Sequence, residues 1–235
     1  MKTIGLLGGM SWESTVTYYQ AINQGIKSQL GGLHSAKLLL SSVDFAEIER
    51  LQHVGDWAAT GTILSEAAQV VEGAGAQGLL ICTNTMHKVA DQVQAAIQIP
   101  LLHIADATAA TLIRDGVHTV GLLGTAFTME QDFYVGRLQA AGLEVIIPNS
   151  DQRALVHQVI YEELCQGKIL DASRLAYLAV IDDLQSLGAT AVILGCTEIG
   201  LLVNQTHTAL PLYDTTTIHA HAAVEFMLSD YASTK

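Results

Sequence analysis

The stretch Leu79-Leu-Ile-Cys-Thr-Asn-Thr-Met-His87 returns in modified form as Val192-Ile-Leu-Gly-Cys-Thr-Glu-Ile-Gly200, with Cys196 standing 113 positions after Thr83. Gly75-Ala76 and Gly188-Ala189 precede the two copies at the same spacing. Two further blocks repeat in the same order. Ile4-Gly-Leu-Leu-Gly-Gly9 becomes Val120-Gly-Leu-Leu-Gly-Thr125, displaced by 116, and Ile99-Pro-Leu-Leu-His103 becomes Leu210-Pro-Leu-Tyr-Asp214, displaced by 111. Chance supplies one such match; four in order mark an internal duplication. The expected architecture is α/β: two pseudo-symmetric lobes, each a mostly parallel sheet flanked by helices, with the active site in the cleft between them. The first lobe is expected over residues 1–113, with 214–235 packing back onto it, and the second over 114–213.

Each copy of the main block is an apolar run that ends abruptly in hydroxyl, thiol and amide side chains. That pattern predicts a strand buried on both faces that delivers polar groups at its C-terminal end, where a helix starts. In open parallel sheets, ligands bind beyond those ends. Strands are expected over residues 3–8, 36–43, 78–82, 100–104, 143–147 and 191–195. A helix after the first turn should turn Tyr19, Ile22 and Ile26 inward, and Trp12, Tyr18 and Tyr19 read as core. One long helical region is expected over 46–73 and a helix over 86–97. Another over 172–187 carries Leu175, Leu178, Ile181 and Leu184 inward. The first strand leads into a glycine-rich turn, but without G-x-G-x-x-G spacing or an acidic residue after the second strand to hold a ribose, so dinucleotide binding is weakly supported.

Composition narrows the chemistry. With 23 acidic and 11 basic residues, the formal charge is −12, and no Lys/Arg cluster interrupts it. Nucleic acid and anionic membranes are therefore poor partners. No apolar run approaches the ~18 residues of a membrane span. A soluble cytoplasmic protein is the expectation. The three cysteines, Cys82, Cys165 and Cys196, are odd in number and lack zinc spacing, which fits reduced thiols and no metal site.

Duplication suits one reaction class in particular. Inverting a stereocentre without a cofactor needs one group to remove a proton from one face and a second to return it from the other, and a repeated fold supplies matched positions. Cys196 and Thr83 hold those positions here. A free thiol has a pKa of ~8.5, and a helix N-terminus raises the thiolate fraction. Taken singly, a buried cysteine is commonly a small hydrophobe, and Thr83, Asn84, Thr85 or Thr197 would serve as helix caps. Matched sets at two equivalent strand ends favour function. Cys82, one residue inside the strand, should point away from Thr83 into packing.

Cys-Thr-Asn-Thr-Met-His at 82–87 and Gly-Cys-Thr-Glu at 195–198, with the opening Gly-Leu-Leu-Gly-Gly-Met-Ser, resemble the aspartate/glutamate racemase superfamily over the whole chain. The resemblance implies a two-domain α/β isomerase without pyridoxal phosphate or other cofactor. It also implies a small amino-acid substrate, a homodimer and two opposed acid/base residues. Carried onto this sequence, those residues are Thr83 and Cys196. Asn84, Thr85 and Thr197 would bind the substrate α-carboxylate, and Thr125 would line the same cleft.

Most relatives have cysteine at both catalytic positions. Thr83 makes the site chemically lopsided, and the resemblance extends to members that carry threonine there and prefer L-substrates. Met10 and Glu198 fall at substrate-lining positions where glutamate racemases proper have an aspartate-containing turn and Gly-Cys-Thr-His. A cell-wall glutamate racemase is thereby disfavoured. Arg50, Gln52 and Lys168 are candidates for reading the substrate side chain, with Gln52 best placed and able to tolerate neutral side chains; all three also fit solvated helix faces. His87, His103 and His219 are read as core or surface residues as readily as site residues. Hydantoin racemisation, cis–trans isomerisation of a dicarboxylate and non-catalytic carboxylate binding remain as alternatives.

Overall fold

A computed structural model describes residues 1–231. The chain divides into two compact units, Met1–Ile104 with the chain from His219 onward, and Ala105–Ile218. The last four residues of the 214–235 stretch expected to join the first lobe lie outside the described residues. Each unit is an α/β structure built on one fully parallel sheet.

In the first unit, β1 (Ile4–Gly8) runs between β2 (Leu38–Ser42) and β3 (Gly78–Ile81). In the second, β4 (Thr119–Gly124) lies between β5 (Glu144–Ile146) and β6 (Ala191–Gly195), and β7 (Leu212–Asp214) extends the sheet beyond β6. The duplication is thus carried into strand order: β1, β2 and β3 correspond to β4, β5 and β6. The counterpart of β7, expected as a strand over 100–104, contracts to one parallel bridge between Leu101 and Leu79. The Leu79 amide donates to the Pro100 carbonyl and the Leu102 amide to the Leu79 carbonyl, both at 2.9 Å, and the pairing stops there, before helix α5 (Ile104–Arg114). The same glutamine device closes both copies. Gln94 accepts from the Leu101 amide at 2.8 Å and donates to the Ile99 carbonyl, while Gln205 accepts from the Leu212 amide at 2.9 Å and donates to the Leu210 carbonyl.

The central strands are buried along their whole length, which is why they read as continuous apolar runs. Alternation sends their side chains into two cores. Leu7, Leu79 and Ile81 pack with Ile48 of α2 (Phe45–Val54), with Leu64, Ala68 and Val71 of α3 (Trp57–Gly73), and with Val93 of α4 (Ala90–Ala95). On the opposite face, Ile4, Leu6, Leu80 and Cys82 pack against Tyr18, Ile22 and Ile26 of α1 (Trp12–Leu30) and Ala220, Ala223, Val224 and Met227 of α11 (Thr215–Leu228). Each fully buried Leu or Ile contributes about 1.5–3 kcal/mol relative to exposure.

Several local expectations are corrected. The region over 46–73 is two helices, because Gly55 adopts a left-handed conformation (φ 77°) and Asp56 caps α3 by accepting from the Ala59 amide. Helix 86–97 is a 3-10 segment, Thr85–Val89, followed by the six-residue α4. Tyr18, Ile22 and Ile26 are fully buried as expected, but Trp12 and Tyr19 are 65% and 56% exposed, so the inward face of α1 runs through Tyr18 and leaves its neighbour Tyr19 outside. In α9 (Asp171–Ser186), Leu175 is exposed, while Tyr177 and Val180 join Ile181 and Leu184 in the core.

The turn that ends β1 brings the backbone of Gly9 close against that of Val43. Gly9 sits at φ 92°, and a Cβ there would overlap the Val43 carbonyl oxygen and crowd the Val43 amide. Its own amide donates to the Thr15 hydroxyl at 2.8 Å. Gly9→Ala should cost about 2–4 kcal/mol in urea unfolding, since conformational strain and a backbone clash add. Gly55→Ala, at a left-handed position facing open space, should cost only about 1 kcal/mol. Equal losses would show that the Val43 approach carries no energetic weight.

Candidate active site

The residues singled out in the sequence fall into two sets, one in each unit. In the first, Thr83 follows Cys82, whose amide still donates to the Leu7 carbonyl at 2.9 Å and so ends the β1–β3 ladder. Thr83 shares the strand parity of Leu79 and Ile81, whereas fully buried Cys82 faces the α1–α11 core. Burial pushes the Cys82 thiol far up, which makes it inert. The helix expected after Thr83 starts as the 3-10 segment, with Asn84 at its N-cap position. Asn84 and Thr85 are buried and Thr83 is half-buried.

Gln52 lies almost fully buried at the C-terminal end of α2, and its amide nitrogen donates to Met86 Sδ at 2.8 Å. That contact brings it to the Thr83 loop, and Met10, also buried, shares the same apolar cluster with Met86. Arg50 and Lys168, the other two candidates for reading a side chain, are exposed, and Lys168 is engaged with Gln166. The structure thus separates Gln52 from the two cations.

Three histidines far apart in sequence meet beneath the Thr83 loop. The rings of His87 and His103 are 4.5 Å apart between centroids, and those of His87 and His219 are 5.6 Å apart. All three are buried. Burial, then the neighbouring rings of His103 and His219, hold His87 well below the ordinary imidazole range, and burial pulls His219 down to about 4. Their spacing in the sequence gives no hint of this meeting.

In the second unit, Thr125 follows β4 and caps the short helix α6 (Ala126–Glu130) by accepting from the Thr128 amide at 3.3 Å. Cys196 follows β6, directly after the last paired residues of the ladder, Gly124 and Gly195. Those glycines permit the close approach: a Cβ on Gly195 would lie 2.8 Å from the Leu123 carbonyl oxygen. Thr197 and Glu198 lead into α10 (Ile199–Leu202), which has only four residues. Helices this short have little macrodipole, so they lower a thiol pKa far less than the sequence reading supposes.

The electrostatics of Cys196 run the opposite way. The thiol is almost fully buried and donates to Glu198 Oε2 at 3.0 Å, and the Thr197 hydroxyl donates to the same oxygen at 2.7 Å. Burial first, then the Glu198 carboxylate and the nearby Cys165, push the thiol well above its ordinary range. At neutral pH Cys196 is therefore a protonated thiol hydrogen-bonded to a carboxylate. It is a proton donor with a proton acceptor already in contact.

A model of the Asp/Glu/hydantoin racemase family matches residues 7–223 of this chain. The chain belongs to that family. Its fold follows a crystal structure of a candidate Asp/Glu racemase from Yersinia pestis with a TM-score of 0.91 and 55% identity, covering 97% of this chain and 100% of that one. An aspartate racemase homologue from Pyrococcus horikoshii superposes with a TM-score of 0.84 at 34% identity, covering 97% and 99% of the two chains. A broad-specificity amino-acid racemase from Bacillus subtilis is 24% identical over 164 residues, 70% of each chain. Racemases are isomerases, and among the described residues of this family member no group of three or more His, Cys, Asp or Glu side chains is arranged to hold a metal ion.

The state of Cys196 makes a prediction. A raised pKa leaves less thiolate at pH 7–8 than a free cysteine with pKa ~8.5 supplies, so iodoacetamide should label Cys196 more slowly than free cysteine. The rate should keep climbing above pH 9, and Glu198→Gln should speed labelling at any one pH by removing the negative charge. Peptide mass mapping of the labelled site checks both; labelling of Cys196 faster than free cysteine at pH 7 would contradict the electrostatics described.

Proposed function

We propose that the protein is a cofactor-independent amino-acid racemase for aspartate and glutamate, with tolerance for neutral side chains, in which Thr83 and Cys196 serve the opposite faces of the substrate Cα. The observation that carries this reading is the Cys196–Glu198 contact at the position matching Thr83 in the other half of the repeat. Glu198 accepts the Sγ proton, the thiolate so formed takes the Cα proton, and the Thr83 hydroxyl delivers a proton to the other face. That turnover leaves a Thr83 alkoxide and a protonated Glu198, and proton exchange with water restores the hydroxyl and the carboxylate. In the reverse direction Thr83, its hydroxyl proton first given up to water, takes the Cα proton as the alkoxide and the Cys196 thiol returns one, the thiolate then regaining a proton from water. Neither direction needs the Schiff-base lysine of a pyridoxal phosphate enzyme. Asn84, Thr85 and Thr197 hold the α-carboxylate and stabilise the negative charge that builds there. Thr125 and Met10 line the substrate space, and buried Gln52 reads the side chain.

Enantiomers have equal free energy, so kcat/KM is the same in both directions. The difference between a hydroxyl and a thiol appears instead in kcat and KM separately, with higher turnover on the L-enantiomer. The assembly we propose is a cytoplasmic homodimer. Its support is an exposed apolar stripe on α1, where Trp12, Val16 and Tyr19 recur at i, i+4 and i+7. Sedimentation should give twice the 25.0 kDa chain mass, and a monomer would remove that assembly.

The decisive measurement of the reaction is proton NMR in D₂O without pyridoxal phosphate. L- and D-aspartate, glutamate, neutral amino acids and a hydantoin are each incubated with the enzyme. Loss of the α-proton signal from an acidic amino acid is expected, with its enantiomer detected by chiral chromatography of the same samples. Cys196→Ser should lower the rate by about 10²–10⁴, the usual loss on removing a general acid or base. Silence across the amino acids would leave a hydantoin racemase or a carboxylate-binding module.

A further inference from the structure

The hydrogen bonds around the histidine cluster fix which nitrogen carries each proton. The Ile104 amide donates to His87 Nε2 at 3.2 Å, so that nitrogen is unprotonated. His87 Nδ1 lies 2.8 Å from the Thr83 carbonyl oxygen, which only accepts, so Nδ1 carries the proton and donates it. His219 is fixed in the same way. Its Nε2 lies 2.7 Å from the Leu102 carbonyl oxygen and donates, which leaves Nδ1 to accept from the Tyr18 hydroxyl at 2.9 Å. Each ring is neutral and held in a single tautomer at both ends. A second proton on His87 would set Nε2–H against the Ile104 N–H.

We propose that His87 is the positioning residue for Thr83: its Nδ1–H anchors the carbonyl of that residue, while its Nε2 is braced by Ile104. The assignment rests on the racemase reading above. The 3-10 segment that follows Thr83 is only five residues long and cannot hold the preceding loop by helix length. Within the first unit, the bond at 2.8 Å runs from a fully buried ring to the backbone of the residue itself, and the ring is packed against His103 and His219. Rotation of the Thr83 peptide would break this bond to a buried Nδ1–H, which opposes any drift of the hydroxyl.

Two amide substitutions separate the two ends of the ring. In His87→Asn the amide nitrogen stands near the Nδ1 position and still donates to the Thr83 carbonyl. In His87→Gln the amide oxygen stands near Nε2 and still accepts from Ile104, but the donor to Thr83 is lost. The experiment follows both racemisation and α-deuterium uptake into recovered substrate, for each enantiomer in D₂O, with thermal melts to confirm folding.

Thr83→Ala serves as the reference. It should lose racemisation yet keep α-exchange with the one enantiomer that Cys196 deprotonates. His87→Gln should lose about 100-fold in racemisation, the size expected for a misplaced reacting group, and its exchange-to-racemisation ratio should rise for that same enantiomer. His87→Asn should stay within about fivefold of the unmodified enzyme. A general loosening would instead lower exchange and racemisation together and would damage the smaller asparagine more. That outcome, or an unchanged ratio in His87→Gln, overturns the assignment of His87 alone. Thr83→Ala without enantiomer-selective exchange would remove Thr83 and this inference with it, and absence of any α-exchange in the unmodified enzyme would remove the racemase reading itself.

Discussion

The register of two parallel strand pairs is the constraint on which the rest depends. β1 with β3, and β4 with β6, are laddered up to the last residues before the polar block, and both faces of each central strand are covered by helices. Slipping either pair by one residue would exchange the faces of every side chain, putting Cys82 where Thr83 stands and Gly195 where Cys196 stands. Burial of Leu79, Ile81 and Leu194 on one parity therefore decides where the Thr83 and Cys196 side chains emerge. The glycines do the remainder. Gly124 and Gly195 let neighbouring backbones approach closely at the very end of the β4–β6 ladder, so the chain leaves the sheet there without a side chain filling the space.

Much of this was written in the repeat. Strands β1, β3, β4 and β6 follow from apolar runs bounded by glycine, and the duplicated order of the sheets follows from the spacing of the blocks. The Gln94 and Gln205 pair shows how far the duplication reaches: the two residues stand 111 apart, as do the prolines they flank, and they close their loops with the same two hydrogen bonds. Details that depend on the phase of a helix were less legible. Tyr18 and Tyr19 are equally apolar, and only the tertiary partner on α11, where His219 takes the Tyr18 hydroxyl, decides which one turns inward. The break at Gly55-Asp56 was present as a C-cap and N-cap signal, but the apolar periodicity on either side carries through it.

The histidines mark a different limit. His87, His103 and His219 are separated by 16 and 116 positions, so no periodicity or motif relates them. They meet because the Leu101 bridge returns the chain beside β3 and because α11 packs on the α1 face of the same sheet. Such clusters are products of topology. The chemistry of two of them, by contrast, is set locally: a carbonyl and an amide leave His87 a single neutral form, a carbonyl and a hydroxyl do the same for His219, and burial keeps both there.

The raised thiol bears directly on how unequal the proposed reaction is. A threonine hydroxyl is a far weaker acid than a thiol of ordinary pKa, so a pairing of the two would make one proton transfer much harder than the other. Each unit by which burial and Glu198 raise the Cys196 pKa moves the thiol toward the hydroxyl by about 1.4 kcal/mol. A thiolate of higher pKa is also the stronger base toward a Cα proton, which is itself a very weak acid. The cost falls on forming that thiolate, and the carboxylate already hydrogen-bonded to Sγ is placed to take the proton. The departure from a matched pair of cysteines is therefore offset within the second unit. On that proposal, Glu198 is the residue that brings the thiol closer to a hydroxyl partner.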